Sequence, residues 1–393
     1  MSKTQIEAPA VELSVVIPCL NEADTLATCL GKVHTVFARE RIAGEIVVAD
    51  NGSTDGSREI AESMGARVVP IDEKGYGHAL MGGIRAARGR YVVMGDADDS
   101  YDFLELPKFV AKLREGYPLV QGCRLESGGG RVLPGAMPFL HRRWGNPMFS
   151  HMARSWFKAP IQDIYCGFRG FTKEFWLRLG QRAGGMEFAT EMIIQATRHH
   201  VPIAEVPITL HPDGRTTHAP HLRTFRDGWR TLRFFLMYSP RWLFLVPGAA
   251  AVVLGLVGYA LALPGATIGS ATLGPHTLLF ASMAILCGYQ AILFAIFTKT
   301  LALSEKTVPQ DQRWVRFFGL INLERGLVLA GLALVAGVAL LVAAIVKWKS
   351  VDFGRLDYAS TMKLVIPGAT LTALAVQTIF ASFFVSILGT RGR

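Results

Sequence analysis

The densest run of chemically useful residues is Gly95-Asp96-Ala97-Asp98-Asp99-Ser100-Tyr101-Asp102, directly after the apolar run Tyr91–Met94. An Asp-x-Asp pair at a strand end sets two carboxylates beside a ligand crevice. Mg²⁺ and Mn²⁺ take oxygen ligands and are often completed by substrate phosphates. Asp96 and Asp98 are therefore candidates to hold a divalent ion on a nucleotide diphosphate. The competing reading is a solvated acidic loop that caps a helix from about Leu104. Asp-x-Asp alone would not decide between them; its place at a strand end favours the site.

Two further polar clusters end apolar runs in the same way. In Val48-Ala49-Asp50-Asn51-Gly52-Ser53-Thr54-Asp55-Gly56-Ser57, Asp50 is placed to accept hydrogen bonds from a base or ribose. Asn51-Gly52 suits a tight turn, and residues 53–55 suit the cap of a following helix. In Val16-Ile17-Pro18-Cys19-Leu20-Asn21-Glu22, Pro18 is expected to end the strand, and Asn21 and Glu22 to open a helix. Glu22 suits a ribose contact and the positive end of the helix dipole equally well.

These clusters need a scaffold that brings them together. Short Val/Ile-rich runs at 13–17, 46–49, 68–71 and 91–94 alternate with helix-like stretches at 21–40, 55–64 and 77–88. Such alternation predicts an α/β fold, with a mostly parallel sheet covered on both faces. Ligands then bind at the carboxyl ends of the strands, where all three clusters fall. Residues 128–130 are all glycine and read as a flexible break. The segment 131–220, rich in His, Arg and aromatics, reads as a second lobe that completes the site.

The net charge of +10 is unevenly spread: −5 over 1–130, +8 over 131–240 and +7 over 241–393. The acidic segment contains the proposed nucleotide site, which excludes nucleic acid as a partner. Gly75-Tyr76-Gly77 is only part of a dinucleotide fingerprint and does not follow the first strand, which argues against a nicotinamide oxidoreductase. The five cysteines have no paired spacing, so neither a disulfide framework nor a zinc site is expected. Residues 1–12 read as a polar tail without a signal peptide.

The C-terminal part reads as membrane. Segments near 243–263, 277–303, 326–346 and 364–388 are apolar and long enough to cross a bilayer, which takes about 20 residues. Ahead of them, 222–241 carries Arg223, Arg226, Arg230 and Arg233, with Phe225, Trp229, Leu232 and Leu236 at helical spacing. That pattern suits a helix lying on an anionic membrane surface. Lys and Arg are absent from 264–276 but present in 304–325 and at the C-terminus. A catalytic domain on the cytoplasmic side of the inner or plasma membrane follows. The basic loop 347–363 points the other way and is outweighed by the even number of spans.

Residues 13–220 resemble the family 2 inverting glycosyltransferases of GT-A fold. The resemblance is carried by Val-Ile-Pro-x-x-Asn-Glu, Asp-Asn-Gly-Ser-Thr-Asp-Gly-Ser and Asp-Ala-Asp, in that order over nearly a hundred residues. Within the family the chain is most similar to polyprenyl-phosphate (dolichol-phosphate) mannosyl- and glucosyltransferases. Gly122-Cys123-Arg124, 163–169, 188–192 and Val206-Pro207-Ile208 followed by Arg215 carry that part. Some such enzymes also have a four-helix C-terminal membrane region.

The resemblance implies a domain at 13–221, an interface helix at 222–241 and a membrane domain at 242–393. It implies transfer of one sugar from a GDP-mannose or UDP-glucose type donor to a polyprenyl phosphate, with inversion. Asp50, Pro18, Asn21 and Glu22 would form the nucleotide pocket. Asp96 and Asp98 would bind Mg²⁺ or Mn²⁺ and the diphosphate, and Ser100 stands where relatives often have a glutamine ligand. Arg124 and Arg131 would meet the lipid phosphate, Asp163 and Glu191 would lie near the sugar, and Arg215 would close over the phosphates. Thr216-Thr217-His218 replaces the Gly-x-Ser-Lys of relatives, so His218 or His221 is a candidate for that lysine's place. A homo-oligomer is compatible with the resemblance.

Two other functions compete. Processive polysaccharide synthases share this fold and a Gln-x-x-Arg-Trp motif, which Gln310–Trp314 matches literally; two intervening spans make an interfacial anchor the better reading of that match. A non-catalytic membrane scaffold or lipid-carrier subunit is opposed by the intact Asp50 and Asp-x-Asp.

Overall fold

The computed structural model describes residues 11–216, 224–304 and 323–390. The chain divides into two compact units, Met1–Phe235 and Leu236–Arg393. His218, His221 and the Gln310–Trp314 motif lie outside the described residues.

The first unit begins with β1 (Leu13–Cys19), α1 (Leu26–Glu40), β2 (Gly44–Asp50), α2 (Ser57–Ser63), β3 (Arg67–Pro70), α3 (Tyr76–Ala86) and β4 (Tyr91–Met94). It continues with α4 (Leu106–Arg114), β5 (Leu119–Cys123), β6 (Arg131–Val132), α5 (Asn146–Phe157), β7 (Arg169–Thr172) and α6 (Lys173–Leu179). The elements α7 (Phe188–Arg198), β8 (Ile203–Pro207) and β9 (Thr209–Leu210) follow, then α8 (Thr224–Tyr238), which runs past the end of the unit.

Seven strands form one sheet in the order β3-β2-β1-β4-β7-β5-β8. The four strands expected from the Val/Ile runs are all present and pair in parallel. Leu13, Val15, Val16 and Ile17 are fully buried, as expected for a strand covered on both faces. Helix α1 covers one face with Leu26, Cys29, Leu30, Val33 and Val36, one stripe of an amphipathic helix. The register sets Cys19 beside Asp50 and Val16 beside Met94. The three polar clusters thus leave the sheet side by side.

Four local expectations need correction. The first helix starts at Leu26, not at Asn21, because Asn21 has φ +59° and Glu22–Thr25 form a turn. Ser53 and Thr54 do not cap α2, whose N-cap is Gly56. Instead the Ser53 hydroxyl accepts from the Asn21 N–H and lies 3.7 Å from the Cys19 sulfur. The part of 131–220 that is described, 131–216, is not a separate lobe, since β7 inserts antiparallel between β4 and β5, and β8 pairs in parallel with β5.

Gly128–Gly130, finally, is a packed turn rather than a loose break. A Cβ on Gly130 would fall 2.1 Å from the Cys123 carbonyl oxygen and 2.6 Å from the Arg124 carbonyl carbon. Gly130→Ala is therefore expected to destabilise the first unit by up to about 3 kcal/mol through overpacking. Urea denaturation reads this, and an unchanged midpoint would refute it.

Among its described residues the second unit has four helices long and apolar enough to cross a membrane: Arg241–Ala262, Pro275–Ser304, Leu323–Lys349 and Tyr358–Leu388. The first and second pack at small residues: a Cβ on Gly248 would meet the Gly288 carbonyl at 2.7 Å, and one on Gly255 the Ala281 carbonyl at 2.6 Å. Gly337 does the same against Gly368 and Thr372 between the third and fourth. Close approach at glycine is how apolar helices gain contact where lipid offers no hydrophobic drive. Tyr259, Ser282 and Thr370 form a ring of hydroxyl contacts of 2.6–3.1 Å joining the first, second and fourth. The loop without Lys or Arg carries a short hairpin, Thr267–Ile268 with Ala271–Thr272.

Candidate active site

The crevice at the carboxyl ends of β1, β2 and β4 is built from loops that brace one another. Asp50 is 1% exposed. It accepts from the Gly52 and Ser53 N–H groups and, at 2.6 Å, from Arg58 Nε. Burial raises its pKa, but these hydrogen bonds outweigh it and hold the carboxyl below its ordinary range. Pro18 is half-buried within β1, which runs one residue beyond it to Cys19. Asn21 Oδ1 accepts from the Thr54 N–H, and the Glu22 N–H donates to Ser57 Oγ. Asn21 and Glu22 are thus locked onto the Asp50 loop.

The acidic run separates into two pairs. Asp99 and Asp102 turn to Lys32 on α1, at 2.7 and 3.5 Å. Asp96 and Asp98 stay in the crevice. Asp96 accepts from the Tyr76 hydroxyl at 2.8 Å. Burial, together with the nearby Asp98 charge, pushes the Asp96 pKa up to about 7. Asp98 Oδ1 accepts from the Ser100 N–H and, at 2.6 Å, from its hydroxyl. Ser100 is thereby tied to Asp98.

Arg215 closes the cluster. Its Nε and Nη2 donate to Glu22 at 2.9 and 2.6 Å, and its Nη1 lies 3.1 Å from Asp98 Oδ2. Burial disfavours its charge, but the hydrogen bonds to Glu22 and the Asp98 charge prevail and raise its pKa. The segment is laid along the acidic loop by Gly214 N–H to Asp98 O and His211 N–H to Ser100 O, and Thr216 is held by Asp24.

A second buried pair stands farther along the sheet. Asp163, fully buried, accepts from Arg124 Nε at 2.7 Å, Nη2 at 2.9 Å and the Arg124 N–H. Burial raises its pKa, and Arg124 outweighs that and lowers it. Tyr101 links the two sites: its hydroxyl accepts from the Gly167 N–H, and it feels both Arg124 and Asp96. Glu191 Oε2 accepts from the Arg182 and Ala183 N–H groups. Arg131 is exposed on β6 beside this region.

Glu22, Asp96, Asp98, Ser100 and Arg215 thus come together at the strand ends, with Asp50 on the adjoining loop that Asn21 and Glu22 brace, while Arg124 and Asp163 form a neighbouring pair. Glu191 holds the 182–183 loop. Sequence reasoning overlooked Arg58, Tyr76, Ser57 and Asp24, all of which position site residues. It also gave no role to Arg169, which is fully buried and donates to the carbonyls of Ile164, Cys166 and Ala189. Tyr76 was signalled only by its place between Gly75 and Gly77.

Among the described residues, no group of three or more His, Cys, Asp or Glu is gathered as a ready metal cage. The donors still fit Mg²⁺ or Mn²⁺, which are commonly held by one or two carboxylates plus phosphate and water. Burial and the Asp98 charge both disfavour ionised Asp96, which a bound cation would offset, and a guanidinium already rests on Asp98.

Comparison with known proteins matches this architecture twice. The description "Glycosyl transferase family 2" matches residues 14–178, and "Glycosyltransferase family 2 C-terminal transmembrane region" matches 296–389. The low-salt glycan biosynthesis hexosyltransferase Agl6 of Haloferax volcanii is 37% identical over 382 residues, 97% of this chain and 90% of that protein. From the same organism, glycosyltransferase AglJ is 32% identical over 54% of this chain and 67% of its own length. The dolichyl-phosphate hexose transferase is 32% identical over 50% of this chain and 82% of its own length. A crevice at the strand ends, an Asp-x-Asp pair within it and a four-span C-terminal region therefore belong to one family: the chain is a glycosyltransferase of family 2 with the family's C-terminal transmembrane region.

Proposed function

We propose that the enzyme transfers a single hexose from a nucleoside diphosphate sugar to a polyprenyl or dolichyl phosphate, inverting the anomeric centre. The observation that carries this reading is the placement of Glu22, Asp96, Asp98 and Arg215 together at the strand ends, with the Asp50 loop braced against Glu22 and the Arg124–Asp163 pair adjacent. The similarity to a dolichyl-phosphate hexose transferase supports the acceptor class.

In this reading Asp50 and Glu22 bind the nucleoside, with Pro18 and Asn21 shaping their pocket. A divalent ion, when bound, neutralises charge on the leaving diphosphate. Asp96 and Asp98 hold it, with Ser100 fixing the orientation of Asp98. The acceptor phosphate is already anionic, so one of its oxygens attacks the anomeric carbon without a general base. The bond from that carbon to the diphosphate oxygen breaks as the new one forms. The enzyme's contribution is positioning and charge. Arg124, aimed by Asp163, and Arg131 attract the acceptor phosphate. Arg215 moves from Glu22 and Asp98 onto the donor phosphates, and Glu191 shapes the sugar side through the 182–183 loop. The catalytic unit acts on the cytoplasmic face.

The test is a purified, reconstituted chain offered polyprenyl phosphate and a panel of nucleotide sugars, with and without Mg²⁺ or Mn²⁺. The expected product is a lipid phosphate bearing one sugar, formed only with metal. A polymer would point to a processive synthase, and absence of any lipid product would sink the proposal.

The chain should also bind Mn²⁺ more tightly as pH rises from 5, levelling off above about 7. The Asp96 pKa lies at about 7, far above an ordinary carboxyl, so below that pH a proton competes with the ion. Mn²⁺ titration followed by electron paramagnetic resonance measures this. A flat profile would separate Asp96 from the metal.

A further inference from the structure

Three polar side chains form a rung across the main sheet. Gln121 on β5 stands in register with Arg169 on β7 and with Glu205 on β8. Directly opposite residues share one face of a sheet, so the three project to the same side. Gln121 and Arg169 are fully buried, and Glu205 is half-buried. The proposed reaction uses none of them.

All three meet one segment, 162–166, which is neither helix nor strand. Both Glu205 oxygens accept from the Gln162 N–H, at 2.8 and 3.0 Å, and Oε1 also accepts from the Asp163 N–H at 3.0 Å. Gln121 Nε2 donates to the Asp163 carbonyl at 2.9 Å and to the Cys166 carbonyl at 3.1 Å. Arg169 donates to the carbonyls of Ile164 at 2.7 Å and Cys166 at 2.8 Å. Buried backbone outside regular structure must find partners, and here the side chains of three strands supply them.

The consequence falls on Asp163. Its carboxylate receives Arg124 through Nε, Nη2 and the backbone N–H. Its own N–H and carbonyl are held by Glu205 and Gln121. The carboxylate that aims Arg124 is thus itself aimed from β8 and β5. Glu205 is the charged acceptor of the rung, and hydrogen bonds to an ionised group are about twice as strong as neutral ones. It directly precedes Val206-Pro207-Ile208, a stretch with no chemical group of its own to offer a substrate.

We propose that Glu205, seconded by Gln121, is a positioning residue of the acceptor site. By holding the backbone of Asp163 it fixes the Asp163 carboxylate, and through it the Arg124 guanidinium, for the acceptor phosphate. This rests on the reading that Arg124 meets that phosphate.

The test is isothermal titration of the full chain in detergent with farnesyl phosphate, a short prenyl phosphate. Glu205→Gln keeps the size and one acceptor oxygen but removes the charge, and it should weaken binding about tenfold. Binding of GDP or UDP with Mg²⁺ to the same samples should stay that of the parent. Gln121→Met repeats the measurement from the neighbouring strand and should shift affinity in the same direction. A merely structural role would lower the binding stoichiometry, as competent protein is lost, and leave the Kd for farnesyl phosphate unmoved. That result would overturn the proposal, and so would an equal loss of nucleotide affinity. Arg124→Met with Asp163→Leu is the benchmark and should weaken farnesyl phosphate at least as much. Parental affinity in the benchmark would overturn the acceptor role of Arg124, and the positioning role with it. A weakened benchmark beside an unchanged Glu205→Gln would overturn the positioning role alone.

Discussion

Asp98→Ala should lower kcat/KM for sugar transfer by about 10³-fold, or about 4 kcal/mol of transition-state stabilisation. The side chain gathers the charges of the crevice: one oxygen fixes Ser100 and the other meets Arg215. The carboxylate is also one of the two donors offered to the metal. Its loss removes a charge needed when the diphosphate leaves, and it deprives Arg215 of one carboxylate partner, leaving Glu22 and Asp213. The sheet and core are untouched, because Asp98 sits at a loop tip beyond β4. The melting temperature should therefore stay close to that of the parent. Asp99→Ala is the internal control: Asp99 pairs with Lys32 outside the crevice, so it should retain nearly full activity. If Asp98→Ala transferred sugar at the parental rate, the acidic pair would be structural and the scaffold reading would gain.

A comparably large effect on stability is expected from Asp163→Ala. Removing this carboxylate would strand the buried Arg124 guanidinium. Breaking a buried pair from one side costs about 3–5 kcal/mol. The Asp163 pKa is lowered in the folded chain, so its contribution is present above the unfolded-state pKa, near 4. It is lost as pH falls through the folded-state value. Stability should thus fall on acidification in the parent, and less steeply in the variant. The double replacement Arg124→Met with Asp163→Leu separates structure from chemistry. It should recover much of the stability, since a packed apolar pair can replace a buried ion pair, yet it should stay inactive if Arg124 meets the acceptor phosphate. Recovery of both would reduce the pair to a structural element. Chemical denaturation and the lipid-linked sugar assay read the two outcomes.

Much of the molecule was legible as a string of residues because its signals are local. Val/Ile runs of four to five residues mark strands that must be buried on both faces, and apolar stretches of about 20 residues mark spans. Polar clusters at strand ends locate the crevice, because parallel strands bring their carboxyl ends to one edge of the sheet. The parts that misled were those where local preference yields to packing. Three glycines look mobile, yet at Gly130 the absent Cβ is what lets the chain lie against Cys123 and Arg124. Asn21 and Glu22 look like a helix start, yet Asn21 takes a left-handed conformation that Ser53 and Thr54 stabilise from 32 and 33 residues away.

The residue types alone determined the family resemblance, the membrane region and the identity of the candidate metal donors, since these follow from composition, spacing and strand order. Only the tertiary structure decided which carboxylates act together. Spacing singles out Asp96 and Asp98 but assigns nothing to Asp99 and Asp102; Lys32 on α1 draws those two away while Arg215, more than a hundred residues later, stays with Asp98. It also showed that Asp163 faces Arg124 and that Arg169 spends its donors on three carbonyls. Charges pair according to distance in space, and a sheet that threads β7 between β4 and β5 sets those distances without leaving a trace in local sequence.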